Sequence, residues 1–366
     1  MLRVVVCGIG GGHVTQACHA IRGFLDASFD IERVVLLPDG PSHRDALSRV
    51  VPRERIHAAS SPALDWLIAR LMTSDARNLD HAVARLATAL GALSDCFGAL
   101  KRSKLEGRVD ACVLFTPFLI DELNIFDVSL GAPHIYVAHH FADHLSWEYG
   151  LLMRGVRALA KNVKLVHMRP GHGAVSIPPL LDTGPVKRAL TKSTARPPTP
   201  RILVYSTSYG EDFVSFVLRD VLPRYERDFD FVLVGSAWPR GSLGVLPRSS
   251  LLDLMASSSA LLTTSGNEMI LEARLLGVPT AAMPSCARAL EQVRNLECYE
   301  SLGYCERLLP SLNLHELARR PRCPDAELMR ALDSSAGELV RLVQGAIGPS
   351  ARAPGASAAP RGLAHV

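Results

Sequence analysis

The chain has 366 residues, 48 % of them hydrophobic and 21 % charged, with a formal net charge of +4 at pH 7. That length fits about two domains of ordinary size, and the composition is that of a globular protein with large cores, not of a disordered or fibrous chain. The mild positive balance is too small to argue for nucleic acid, though it suits an anionic nucleotide or an acidic membrane surface.

The first residues, Leu2-Arg3-Val4-Val5-Val6-Cys7, read as a strand entered at once, with no basic and apolar leader ahead of it. A glycine loop follows, Gly8-Ile9-Gly10-Gly11-Gly12-His13, and then a helix. Val14, Ala17, Ile21, Phe24 and Leu25 fall on one face of that helix, and Thr15, His19, Arg22 and Asp26 on the other. Further short apolar strands are expected at 33–37, 111–115, 134–138 and 164–167, separated by helices that include a long amphipathic one over 79–101. Such continuous apolar runs alternating with helices predict a parallel sheet covered on both faces.

Residues 191–200, rich in Pro and Thr, read as an extended linker. A second series of strands then begins at 201–205, 231–235, 260–264 and 279–283, with a final helix over 325–347. The fold class is therefore α/β. Residues 1–190 form one doubly wound unit and 201–347 another, and the two face each other across a cleft at the carboxyl ends of their strands. Residues 348–366, rich in Ala, Pro and Gly without periodicity, read as a disordered tail. No run reaches the roughly 18–20 apolar residues that cross a bilayer. None of the eight cysteines forms a CxxC pair, which suits reduced thiols of a cytoplasmic protein.

Three motifs carry chemistry. In the first loop, glycines let backbone approach a ligand and bare the helix N–H groups. A dinucleotide fingerprint would need glycine where His13 stands, even though Asp39 could mimic its ribose-binding acid. His13 is either a helix-capping residue or a general base aimed into the cleft, since imidazole titrates near neutral pH. The second motif is the run from Thr263 to Pro279: strand, small-residue turn at Ser265, Gly266 and Asn267, helix, glycine cap, strand. The turn offers N–H groups and a positive dipole end to a diphosphate, and Glu272 follows one and a half turns into the helix. The third is Glu291-Gln292-Val293-Arg294-Asn295, whose amides suit sugar hydroxyls because each both donates and accepts.

In this order the motifs resemble glycosyltransferase family 28. Its Gly-Gly-His loop is matched by Gly11, Gly12 and His13. Its Ser-Gly turn and ribose-binding glutamate are matched by Ser265, Gly266 and Glu272, its Gly-hydrophobic-Pro by Gly277, Val278 and Pro279, and its donor-sugar segment by Gln292 and Asn295. The likeness is concentrated in the first twenty residues and in 257–303. Two departures stand out. Glu291 replaces the first of two glutamines, and the family's Gly-rich loop after the first strand of the second domain appears as Ser206-Thr207-Ser208-Tyr209-Gly210.

The resemblance implies a GT-B fold and an inverting, metal-independent transfer from a nucleotide sugar, with uridine favoured. No cofactor is implied beyond the sugar nucleotide, and the location implied is cytoplasmic or peripheral to the inner membrane face. Ser206 would help hold phosphate. Asp121, His139 and His140 would join Gly11 and Gly12 on the acceptor side, Asp121 being an alternative base. Metal ligation by His139, His140, Asp143 and His144 is the lesser reading. Arg154, Arg157, Lys161 and Lys164 form a basic face that is either solvated or turned to anionic lipid. A nucleotide-sugar hydrolase or epimerase, or a non-catalytic nucleotide-sugar-binding subunit, would use the same cleft.

Overall fold

A computed structural model of the chain describes residues 1–7, 11–37, 40–58, 109–115, 132–139, 163–168, 175–192, 198–206, 210–238, 241–285 and 290–348. Outside the described residues lie the expected helix over 79–101, the tail from 349 on, and Asp39, Asp121, His140, Asp143, His144, Arg154, Arg157, Lys161 and Ser208.

The first sheet holds β1 (Leu2–Cys7), β2 (Ile31–Leu37), β3 (Ile56–Ala58), β4 (Ala111–Phe115), β5 (His134–Ala138) and β6 (Val163–His167). They run in the order β3-β2-β1-β4-β5-β6, every pair parallel. Chain order reverses between β1 and β4, so the carboxyl end of β1 opens at the switch point where doubly wound folds bind ligands. β4 and β5 are buried along their whole length, which explains their unbroken apolar runs.

Helix α1 (Gly11–Asp26) lays Val14, Ala17, Ile21 and Phe24 on this sheet, all buried. Leu25, expected on the same face, is instead 41 % exposed. It stands in the last turn, where Phe24 already meets Phe29 edge-on at 6.0 Å between ring centroids. Helix α2 (Pro41–Leu47) starts with proline, whose missing N–H is no loss in a first turn.

The second sheet holds β7 (Arg201–Tyr205), β8 (Asp230–Val234), β9 (Ala260–Thr264), β10 (Thr280–Met283) and β11 (Glu306–Arg307), in the parallel order β11-β10-β9-β7-β8. Here the reversal falls between β7 and β9, which makes the loops after those two strands neighbours. Around it pack α3 (Gly184–Thr191), α4 (Glu211–Phe216), α5 (Leu222–Tyr225), α6 (Arg248–Ser257), α7 (Asn267–Leu276), α8 (Leu290–Ser301), α9 (Leu314–Arg319) and α10 (Ala326–Ile347). Gly277 ends α7 with φ of 68°, and a Cβ there would stand 2.6 Å from the Pro324 nitrogen. Only glycine meets both conditions.

Two elements cross between the cores. Leu180 packs with the first core and Leu181 with the second, which also takes Val186 and Ala189 of α3. The changeover thus precedes the proline-rich run at 191–200, and α3 belongs with the second sheet. Helix α10 returns: Leu328 and Leu332 pack in the second core, whereas Leu339, Val340 and Val343 pack in the first. Its apolar stripe serves both, a division that its 3.6-residue period does not reveal. Among the described residues no helix is long and apolar enough to cross a membrane.

Candidate active site

Several of the expected residues follow strand ends of the two sheets. His13 stands in the first turn of α1, after β1, and is 9 % exposed. Ser206 follows β7 and Ser265 follows β9, both fully buried at the second switch point. Gly235, after β8, has φ of 121°, and a Cβ there would fall 1.9 Å from the Ser206 carbonyl oxygen. The backbone at Ser206 is therefore packed directly on its neighbouring loop.

The turn before α7 leaves the helix start without a side-chain cap. Gly266 caps the helix in an extended conformation with no side-chain hydrogen bond, so the first-turn N–H groups lack the usual capping acceptor. The Ser265 N–H is spent on Met283 O at 3.0 Å and the Gly266 N–H on Thr264 O at 2.7 Å, which fixes the turn. Asn295, expected at a sugar, donates from Nδ2 to Ser265 O at 3.3 Å and so braces it. Ser265 Oγ, Asn267 Oδ1 and Glu268 Oε1 are buried with no hydrogen-bond partner among the described residues. Gln292 accepts at Oε1 from the Ser285 N–H at 2.6 Å, which orients its amide. Glu291 lies on the same helix, α8.

Glu272 is 3 % exposed and is held by Arg248, the first residue of α6. The Nε of Arg248 donates to Glu272 Oε1 at 2.8 Å, and Nη2 lies 2.5 Å from the same oxygen. Burial works against the Arg248 charge, and Glu272 and then Glu268 more than restore it. Burial likewise pushes the Glu272 carboxyl up while Arg248 pulls it down.

The two halves meet at Glu268. Its carboxyl is hydrogen-bonded to Thr15 of α1, and Oε1 lies 3.9 Å from where a Cβ on Gly12 would stand. Burial, opposed by Arg248 and reinforced by Glu272, raises its pKa to about 7. Tyr205, at the end of β7, is pushed up by burial and by both glutamates.

Across from it the chemistry is uncharged. Burial lowers His13 to a pKa of about 4, with the Gln16 side chain pulling the other way. The Nε2 amide of Gln16 lies 2.9 Å from His139 Nε2, and His139 Nδ1 lies 3.2 Å from Met168 O. An amide nitrogen can only donate, so His139 accepts at Nε2 and carries its proton on Nδ1. With both ring nitrogens engaged, His139 is a brace for Gln16 rather than a metal ligand. Gln16 Oε1 and His13 Nδ1 are buried without a hydrogen-bond partner among the described residues.

Arg248, Glu268, Thr15 and Gln16 are site residues that sequence reasoning missed. Glu268 was within the quoted motif, but an acid in a helix's first turn reads as an ordinary dipole-favoured start. Arg248 follows Pro247 at another helix start, and nothing local links it to Glu272.

No family model and no curated protein matches the sequence. Solved structures do match over nearly the whole chain. The glycosyltransferase of kitacinnamycin is 15 % identical, with a TM-score of 0.64 over 95 % of this chain and 99 % of that one. The calicheamicin glycosyltransferase CalG4 is 14 % identical, with a TM-score of 0.63 over 96 % and 99 %. MurG of Acinetobacter baumannii is 13 % identical, with a TM-score of 0.55 over 94 % and 99 %. At these identities the likeness defines the fold: two parallel Rossmann-like sheets in the GT-B arrangement.

Proposed function

We propose that this GT-B protein is a glycosyltransferase. It moves a sugar from a nucleoside-diphosphate sugar to an acceptor hydroxyl, with inversion and without a metal in the chemistry. The observation that carries the reading is the meeting of α1 and α7 at Thr15 and Glu268. It sets a buried histidine after β1 against an uncapped helix start after β9, the two things an inverting transfer needs on opposite sides of one sugar.

The second unit holds the donor. First-turn amides of α7, with Ser265, Asn267 and Ser206, take the diphosphate. Glu272 takes the sugar ring of the nucleoside, and Gln292, with Glu291, takes the transferred sugar. Asn295 keeps the turn in shape. The first unit, with Gly11, Gly12, Asp121 and His140, takes the acceptor, and His139, expected there too, braces Gln16 instead.

The acceptor oxygen attacks the anomeric carbon as the bond from that carbon to the phosphate oxygen breaks. The bonding pair leaves with the diphosphate, and the acceptor proton passes to His13. A histidine held near pKa 4 is neutral at pH 7 and so ready to accept. The arriving diphosphate raises its proton affinity, because a nearby negative charge favours imidazolium. Helix N–H groups aimed at the leaving phosphates stabilise the charge that develops there. Closing the cleft excludes water that would otherwise take the sugar.

The direct test is binding of nucleoside diphosphates to the full chain in the presence of EDTA, followed by thermal shift. A rise in melting temperature with a nucleoside diphosphate, and none with NAD, is expected. Stabilisation by NAD alone would overturn the reading in favour of a dehydrogenase.

A further inference from the structure

The geometry points to Glu268 as a further donor-binding residue: as a neutral carboxylic acid it gives a hydrogen bond from Oε1 to the diphosphate, so that nucleotide binding takes up a proton. This rests on the reading of the α7 start as the diphosphate site.

Glu268 is the second residue of α7, and its own N–H precedes the first intrahelical bond, from the Ile270 N–H to Gly266 O at 3.5 Å. Helical side chains lean back toward the N-terminus, so a phosphate held by that turn stands beside this one. Thr15 of α1 is hydrogen-bonded to the carboxyl, and Oε1, the oxygen left over, is buried without a partner among the described residues. It lies at the start of α1, 3.9 Å from where a Cβ on Gly12 would stand. An ionised oxygen there would need a donor and would repel a diphosphate. A protonated one brings its own donor and needs an acceptor, which a phosphate oxygen supplies. Ser265 Oγ, on a fully buried residue, and Asn267 Oδ1 are equally without partners among the described residues, which marks the turn as a place for a polar ligand.

The charged and titratable groups around the carboxyl are Arg248 of α6, Glu272 one turn on in α7, Tyr205 at the end of β7 and His13 beside Gly12. On α3 and α10, which also pack on α7, Lys187 and Asp333 are paired with each other. Burial outweighs the pull of Arg248, so the acid is about half protonated near pH 7. An arriving diphosphate is a further negative charge and holds that proton more tightly.

Calorimetric titration of the full chain with UDP, dTDP, GDP and ADP, in EDTA and in pairs of buffers that differ in ionisation enthalpy, counts the protons taken up. For the nucleotide that binds, wild type is expected to take up about one more proton at pH 8 than Glu268→Gln, whose amide keeps a donor but does not titrate. Relative to that variant, wild-type affinity is expected to fall roughly tenfold from pH 6 to pH 8. Glu268→Leu, which has no donor, should bind more weakly than E268Q and match its proton count. A wild type that takes up no proton at pH 8, or the same number as the variants, would overturn the proposal and leave the glycosyltransferase reading standing, as would equal affinity of E268Q and E268L. Binding of none of the four nucleotides would overturn both. The wild-type count needs no variant to fold.

Discussion

The two walls of the cleft are made by the same local rule, strand, small-residue turn and helix, yet they carry opposite electrostatics. The wall around β1 carries His13, kept uncharged by burial, and Gln16, with His139 after β5 bonded to Gln16. The wall after β9 is charged: Arg248 between Glu272 and Glu268. A shared backbone plan therefore fixes where a ligand sits but not what chemistry meets it. That is decided by which side chains the first helical turn carries, and by what the next helix brings against them.

The comparison breaks most completely at His13. His13→Ala is expected to lower kcat by roughly a hundredfold or more while leaving nucleotide affinity unchanged, since a positioned base contributes about 10²–10⁴. A loss of affinity instead, seen by calorimetry, would move His13 to the donor wall. On the other side, Glu272→Ala should weaken nucleotide binding. It should also destabilise the fold by about 3 kcal/mol, because the mostly buried Arg248 loses its counter-ion. Equal nucleotide affinity in wild type and variant would sink the role given to Glu272.

The two walls should also differ in the sign of their pH dependence. His13 has a folded pKa of about 4 against 6.5 when free, so the unfolded chain binds the extra proton between those values. Stability attached to it is present above pH 6.5 and is lost as pH falls toward 4. Glu268 has a folded pKa of about 7 against 4.5, so the folded chain holds the extra proton. Stability falls as pH rises from 4.5 through 7 and stays lower beyond it. Glu268→Gln is expected to remove that loss, which makes the variant more stable relative to wild type at pH 8 than at pH 4.5. Denaturant titrations at the two pH values measure it, and an equal difference at both would refute the assignment. The smallest effect expected is that of Gln16→Leu. Gln16 pulls the His13 pKa upward, so its loss should shift the acidic limb of the kcat profile a fraction of a unit lower and leave KM for the donor unchanged. A shift toward higher pH would contradict it.

The sequence was informative wherever one element decides the outcome. Strands β1, β4, β5, β7 and β9 could be placed to the residue because continuous Val, Leu and Ile runs have one use in a covered parallel sheet. The short edge strands β3 and β11, three and two residues long, have no such run and were not legible. The turn at Ser265 could be read from its own residues. Its neighbour at Ser206 could be named but not placed beside it, since that depends on β7 lying next to β9. The Arg248–Glu272 pair joins two helices through side chains alone, and the Thr15–Glu268 bond joins two sheets. Neither leaves a periodic trace. Leu25 shows the converse error: periodicity assigned it to the core, yet it is exposed while its neighbour Phe24 is buried against Phe29.

The double crossing between the cores has a consequence for the integrity of the chain. Asp333 of α10 binds Lys187 Nζ at 2.7 Å and also accepts from the Thr183 hydroxyl, so the outgoing and returning segments are clasped side by side. A single backbone cut after Lys192 would leave one fragment ending just after α3, which packs in the other's core, and a second carrying α10, whose later turns pack in the first's. Each fragment would lend the other a piece of its core. The halves would be interlocked rather than released, and co-expressed fragments divided there should reassemble.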